Sequence, residues 1–362
     1  MRFAASRLSL GRRRRGQTKR QLATTIDMHV QSISDYENGK TVPPERTIEA
    51  IATALRFPSL FFFGQDLEEP NPDSASFRSL SSMTAARRGA ALASGALAFE
   101  LGKWIEDRFN IPAPNVPTVR PPSPEEAALY VRNKWGLGET PIKNMVHLLE
   151  ANGVRVFSLA EDSKDVDAFS IWKNDIPYVF LNTYKSAEHG RFDAAHELGH
   201  LVLHRHGGPH GRDAEHEANL FASEFLMPRG SVLAANLRIT GLESCIQAKS
   251  IWSVSVAALV YKLHKLNIIS DWHYRSLFIE MGQLGMRDKE PNGMLRETSQ
   301  VFAKVFAALR EEGISKEDIA KQLSLYPEDV DALVFGLAMI QLSGGRSTTN
   351  RSSKRANLRL VD

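Results

Sequence analysis

The sequence predicts a mainly α-helical protein with a small β-sheet, an α+β chain of more than one domain, and three observations carry that expectation. First, its 362 residues exceed what one hydrophobic core usually holds. Second, apolar residues recur at helical spacing through long stretches, with capping residues ahead of several of them. Third, only three short central runs, 154–157, 168–172 and 176–182, are rich in the β-branched and aromatic residues that suit strands.

Composition narrows the class. With 43 % hydrophobic and 24 % charged residues the chain is an ordinary globular protein, which excludes a disorder-dominated or membrane-embedded one. No run approaches the ~18 apolar residues of a membrane span. The nearest, 90–101, is interrupted by Ser94, Gly95 and Glu100. The run Arg12-Arg13-Arg14-Arg15 is followed by Gly16-Gln17-Thr18-Lys19-Arg20, where an export signal needs an apolar core, so a cytoplasmic location and no membrane partner are expected. The single cysteine, Cys245, rules out a disulfide within the chain and reads as a small buried hydrophobe.

The net charge of +3 is unevenly spread, with eight Lys and Arg residues before the first acid, Asp27. Either a solvated face or a nucleic-acid footprint has this composition, and the neighbouring pattern favours the second. Residues 17–26 read as a short helix with Thr18 as N-cap, 27–29 as a tight turn, and 30–38 as a second helix ended by Gly39. Two short helices so joined make a helix-turn-helix. Leu22, Ala23, Ile26, Ile33 and Tyr36 supply its inner face, leaving Val30, Gln31, Ser32 and Asp35 where a recognition helix meets the major groove, with Lys19 able to meet a phosphate. Duplex DNA is the expected partner of residues 1–64. Tyr36-Glu37-Asn38-Gly39-Lys40, then Pro43-Pro44, Thr47-Ile48, Ile51-Ala52 and Leu55, resembles the XRE family of phage-repressor-like domains. Lys19 replaces the usual glutamine of that family and His29 a common serine of its turn.

Residues 65–123 form an expected connecting region. Residues 68–74 have linker composition. Residues 84–109 read as an amphipathic helix with Leu92, Leu97, Leu101, Trp104 and Ile105 on one face; a spacer and a dimer helix remain alternatives, and a homodimer is among the expected assemblies. The prolines of 111–124 exclude helix there and leave an extended strap.

The next expected domain, 124–285, carries the chemistry. Helices are expected at 124–135 and 142–150, then the strands, the last two joined through Lys173-Asn174-Asp175. His196-Glu197-Leu198-Gly199-His200 follows inside an apolar helical pattern. Residues four apart share a helix face, so both imidazoles can converge on one cation, while Glu197 points beside it, where a general base for water belongs. Catalytic zinc takes three protein ligands. His206 lies six residues beyond His200, but that motif needs glycine where Leu203 stands. Glu215 opens a second amphipathic helix with Ala218, Phe221, Ala222 and Phe225 inward, and it shares a face with Asn219, which can accept the bond that fixes His196. His204 rises about 12 Å beyond His196 and reads as a packed or capping histidine.

These segments, with Glu215-His216-Glu217-Ala218-Asn219, Phe221-Ala222 and Leu226-Met227-Pro228, resemble the ImmA/IrrE family of bacterial and phage metallopeptidases. The resemblance implies Zn2+ held by His196, His200 and Glu215, with Glu197 as the catalytic carboxylate. It also implies a protein substrate such as a repressor or an antitoxin/toxin partner. His189, Tyr184, His204, His206 and His210 are all candidates to stabilise an oxyanion, and an edge of the small sheet could take an extended peptide. Residues 242–249 and 255–266 have a helix-turn-helix shape but are expected to pack the catalytic domain.

Residues 286–341 read as a helical appendage with Ser315 as an N-cap, and 342–362 as a disordered basic tail. The expected function is that of a DNA-binding zinc-dependent endopeptidase acting on a repressor or other regulatory protein. The alternative is a transcriptional regulator or antitoxin whose zinc is structural or sensory and which cuts nothing.

Overall fold

The computed structural model describes residues 2–70, 84–119, 122–159, 168–205, 211–286, 289–338 and 356–357. The expected linker beyond Pro70, His206, His210 and all of the expected tail except Ala356 and Asn357 lie outside them. The protein is 58 % helical with a small three-stranded mixed sheet, mainly α as expected. No helix among the described residues is long and apolar enough to cross a membrane. The chain divides into two compact units, one formed by Met1–Pro112, Phe157–Asp162 and Gln300–Asp362, the other by Ala113–Val156 and Ser163–Ser299.

The first unit begins with α1 (Ala5–Arg14), α2 (Lys19–Thr25), α3 (Val30–Glu37) and α4 (Glu45–Leu55), followed by a 3-10 turn at Ser59–Phe63. Thr18 caps α2 with a reciprocal box, its Oγ1 accepting from Gln21 N at 3.1 Å while Gln21 Oε1 accepts from Thr18 N at 2.8 Å. The turn into α3 places Asp27 at φ 52°, a left-handed position that Asp tolerates. Leu22, Ala23, Ile33 and Tyr36 are buried, joined by Leu8, Leu10, Ile51, Leu55, Phe57 and Phe61. Phe57 and Phe61 stack at 4.3 Å.

Much of the N-terminal basic run is held inside this unit. Arg12 pairs with Glu37 at 2.6 Å and Arg13 with Glu69 at 2.6 Å. Arg7 is buried with its guanidinium over the Phe61 ring. The helix α5 (Ala85–Glu106) departs from the expected amphipathic face: both its apolar side chains and its small Ala, Ser and Gly residues are buried from Ala90 to Phe99, and again at Leu101, Gly102, Trp104 and Ile105. A helix apolar all round is a core helix, and the small residues let neighbours close in on every side. A short strand β1 (Phe109–Asn110) follows.

The second unit opens with the expected strap, where Asn115 N donates to Asn152 O at 2.9 Å and Val119 N to Val202 O at 3.2 Å. Then come α6 (Pro124–Lys134), α7 (Met145–Ala151), β2 (Arg155–Ser158, of which Phe157 and Ser158 count with the first unit), β3 (Phe169–Lys173) and β4 (Ile176–Leu181). α7 starts three residues later than its apolar pattern suggests, because Asn144 Oδ1 accepts from His147 N at 2.9 Å and caps it. The sheet order is β2–β4–β3, and β3 pairs antiparallel with β4 across Asn174 and Asp175, both at positive φ, a two-residue hairpin turn. α8 (Ala187–Leu203) and α9 (Arg212–Leu226) carry the histidine motif and the acidic segment. Beyond them lie α10 (Arg229–Ala234), α11 (Leu242–Ala248), α12 (Val256–Lys265) and α13 (Asp271–Gln283), which close the unit. Cys245, on α11, is fully buried, and burial pushes its thiol up to about 11.

The C-terminal helices α14 (Gln300–Glu311), α15 (Lys316–Gln322) and α16 (Pro327–Val334) belong to the first unit, with Ser315 capping α15 through a box with Asp318. Asp329 accepts from Arg15 at 2.6 Å, and Gln322 Oε1 accepts from Trp104 Nε1 at 2.9 Å. The last strand, β5 (Ala356–Asn357), pairs in parallel with β1.

Candidate metal centre

Two helices build the centre, and one glycine sets how near they come. A methyl group on Gly199 would lie 3.2 Å from Ala218 Cα and 3.2 Å from the Phe221 ring, so a side chain there would press α8 and α9 apart by a few tenths of an ångström. Behind them the buried face of Ala218, Phe221, Ala222 and Phe225 fixes the rotation of α9. α8 is anchored at its start by Ser186, whose hydroxyl accepts from His189 N at 3.2 Å. Buried Glu188 accepts from Lys249 Nζ at 3.2 Å and Met294 N at 2.8 Å, and buried Arg191 pairs with Glu297 and donates to Ile142 O.

This framework brings His196, His200 and Glu215 together. The two Nε2 atoms are 3.1 Å apart, His196 Nε2 lies 3.3 Å from Glu215 Oε2, and His200 Nε2 lies 3.5 Å from Glu215 Oε1. Ligand atoms about 2.0–2.1 Å from a tetrahedral zinc stand roughly 3.3 Å from one another. The two histidine contacts fall on different oxygens of Glu215, and one ligand atom from each residue lies within 4.8 Å of the others, near enough for the three to converge on one ion. Two imidazoles and a carboxylate are also the donor types zinc takes in catalytic sites.

Electrostatics differ between the two imidazoles. Burial is the largest influence on His200 and, with repulsion from His196 and His204, outweighs the Glu215 hydrogen bond and takes the imidazole down to about 4, leaving it neutral at pH 7. Burial also opposes charge on His196, but its hydrogen bond to Glu215 and the nearby Glu197, Glu215 and Asp193 raise it overall. Burial disfavours the Glu215 carboxylate, yet the hydrogen bonds from both histidines hold it well below the usual carboxylate range.

Around these atoms lies a shell of supporting contacts. Asn219 Oδ1 stands 3.1 Å from His196 Nδ1, the partner its spacing suggested. Glu197, on α8 between the histidines, is 3 % exposed, and Ser170 Oγ donates to its Oε2 at 2.6 Å. Ser170 comes from β3 and was not anticipated; nothing along the sequence links a strand serine to a helix residue 27 positions on. His204 turns away from the donor cluster, with Nδ1 2.9 Å from His200 Nδ1 and Nε2 3.0 Å from Glu217 Oε2. Its spacing from His200 was visible, its partnership with Glu217 was not.

Of the oxyanion candidates, His204 is thus committed to His200 and Glu217, and His189 Nδ1 is 2.9 Å from Ser186 Oγ. His206 and His210 lie outside the described residues. In the first unit Val30 and Gln31 are exposed and Ser32 and Asp35 half-buried on α3. Gln31 Nε2 donates to Asp35 Oδ1 at 2.9 Å, and Lys19 Nζ reaches Ser34 Oγ at 3.2 Å and Glu37 Oε2 at 3.4 Å.

Comparison with known families falls on the same two regions. Residues 149–264 match the peptidase family model described as the IrrE N-terminal-like domain, and residues 5–59 match a helix-turn-helix domain. A search of curated proteins finds no match to the chain. The matched segments contain α2–α3 at one end and the strands with α8 and α9 at the other, so an N-terminal segment similar to helix-turn-helix domains, which suggests DNA binding, precedes one similar to the IrrE N-terminal-like domain, which suggests a metallopeptidase-like domain.

Proposed function

We propose that this chain is a DNA-binding, zinc-dependent endopeptidase of the cytoplasm whose substrate is a repressor or other regulatory protein. In this reading residues 1–64 bind duplex DNA, with Val30, Gln31, Ser32 and Asp35 towards the groove and Lys19 towards the backbone, and residues 124–285 form the peptidase. The observation that carries it is the cluster of His196, His200 and Glu215, with ligand atoms within 4.8 Å of one another, and a buried carboxylate, Glu197, one residue from the first donor. A structural zinc site closes its coordination with protein ligands and needs no such neighbour, whereas a catalytic site keeps a position open.

When bound, zinc supplies a Lewis acid for the scissile carbonyl and lowers the pKa of water towards ~7. His196, His200 and Glu215 hold it. Glu197 takes a proton from the attacking water on its carboxylate as the water oxygen adds to the peptide carbon. The same proton then passes to the leaving nitrogen as the C–N bond breaks. Ser170 orients that carboxylate from the side of β3. The β3 edge of the sheet, next to α8, suits an extended substrate that adds as a strand.

The test is Glu197→Gln in the full chain. The amide keeps the shape of the side chain and is not in the donor cluster, so zinc content and duplex binding stay at native levels. It cannot accept the proton, and cleavage of a co-expressed candidate repressor falls 10²–10⁴-fold, about 3–5 kcal/mol of barrier. A product that persists at the native rate in the zinc-loaded variant removes Glu197 from the role. A native protein that controls a promoter but cuts no neighbouring regulator favours the sensory or structural reading of the site.

A further inference from the structure

His204 and Glu217 take no part in the proposed chemistry, yet they line up in hydrogen-bond contact behind the centre. Glu217 Oε2 is 3.0 Å from His204 Nε2, and His204 Nδ1 is 2.9 Å from His200 Nδ1. An ionised carboxylate only accepts, so Nε2 of His204 carries the proton in that contact. The neutral ring then presents Nδ1 as an acceptor. With one proton on that ring, the 2.9 Å nitrogen–nitrogen contact has His200 Nδ1 as the donor, and the lone pair of His200 stands at Nε2, the atom 3.5 Å from Glu215 Oε1. Two helices contribute: His204 ends α8, its N–H bonded to His200 O at 3.0 Å, and Glu217 lies on the first turns of α9, two residues from Glu215.

We propose that His204 and Glu217 form a serial relay that holds His200 in its metal-binding tautomer, making both of them positioning residues for the zinc centre. The two histidine ligands are then supported differently. Behind His196 stands the neutral amide oxygen of Asn219; behind His200 stands a second imidazole backed by a carboxylate, which makes the ring a more basic ligand. Because the acceptor at the end sets the proton position of a ring that is not its own neighbour, the effect of Glu217 on the metal passes wholly through His204.

The proposal rests on the reading of the cluster as a zinc centre, and the experiment separates the two. Full-length metal-free protein is titrated with Zn2+ against a chromophoric chelator, and with Co2+ to record its visible ligand-field spectrum. Native protein binds about one zinc, and His196→Ala and Glu215→Ala lose it. Glu217→Ala and His204→Ala each weaken zinc binding about 10–100-fold, the usual effect of losing an outer partner of a metal histidine. Glu217→Gln, whose amide oxygen still accepts from His204, recovers most of that loss. The double variant His204→Ala/Glu217→Ala is no weaker than His204→Ala alone, since the two act in series. The helical circular dichroism and melting of the metal-free variants stay native, which a merely structural role would not leave unchanged. If the metal-free Glu217→Ala melts early, Glu217→Gln against His204→Gln carries the comparison. Native zinc affinity in both single variants, or losses that add in the double variant, overturns the relay while the centre stands. Absence of zinc binding by the native chain overturns the centre and the relay with it.

Discussion

A carboxylate taken out of water loses several kcal/mol of hydration that hydrogen bonds must replace. Glu197 is 3 % exposed and receives the Ser170 hydroxyl at 2.6 Å, a short charge-assisted bond. The bond also fixes where the carboxylate points, and for the general base proposed above position matters as much as basicity. Ser170→Ala is therefore expected to cost about 1.5–3 kcal/mol of transition-state stabilisation, roughly 10–100-fold in cleavage rate, with zinc content unchanged. Ser170→Thr keeps a hydroxyl on the strand and should retain most of the rate. Comparing turnover with metal stoichiometry checks this; an alanine variant as fast as native protein would show that α8 alone orients Glu197.

At the scale of elements, the centre depends on how closely α8 and α9 cross, and Gly199 governs that approach. A side chain there meets the backbone of Ala218, which cannot swing aside as a rotamer can. Gly199→Val is expected to destabilise the unit by about 1–3 kcal/mol through overpacking. It also moves Glu215 away from the two imidazoles, which project from the opposite helix, so zinc affinity falls with it. Chemical denaturation of the metal-free protein together with zinc titration measures the two effects. Loss of stability with native affinity would mean that α9 carries Glu215 back into place. A second element owes its position to a polar contact: buried Arg132 on α6 donates to Phe225 O, Gly138 O and Thr140 O, tying the end of α9 to the turn after α6.

At the scale of the whole molecule, the first unit is assembled from both ends of the chain. Arg15, in the basic run, reaches Asp329 on α16 at 2.6 Å, donates to Leu55 O at 2.8 Å and Arg56 O at 2.7 Å, and lies over the Phe57 ring at 4.2 Å. Asp329 is 3 % exposed, so removing either partner strands a charge that has left water. Asp329→Ala is expected to lower the stability of this unit by about 1–3 kcal/mol, the Arg15 side being partly open to solvent. Arg15→Lys should also lower it, since an ammonium lacks the planar guanidinium fork that meets both carboxylate oxygens and two carbonyls. Hydrogen exchange at α4 and α16 reports the change; native protection in Asp329→Ala would show that the apolar contacts of the unit suffice without the pair.

What the sequence determined by itself was whatever depends on residues three to five positions apart. Thr18 and Ser315 announced their helices, Asn174-Asp175 marked the turn between two strands, and the four-residue spacing of His196 and His200 set two imidazoles on one helix face. The spacing of Glu215 and Asn219 marked another such face, and the structure has these four side chains in one cluster. Tertiary structure decided the partners that lie far apart along the chain. It surrounded α5 on every side, although its larger apolar residues suggested a single face, and it drew Arg7, Arg12, Arg13 and Arg15 into the fold of a run that read as uniformly basic. The helices α10 and α13 carried no reading of their own before the structure. Ser170 became a partner of Glu197, and Glu217 one of His204, only when a strand and a second helix packed against α8. The reason is physical: local periodicity records how a segment can present its faces, whereas the choice of what each face meets is made by packing among segments whose separation along the chain leaves no trace in either sequence.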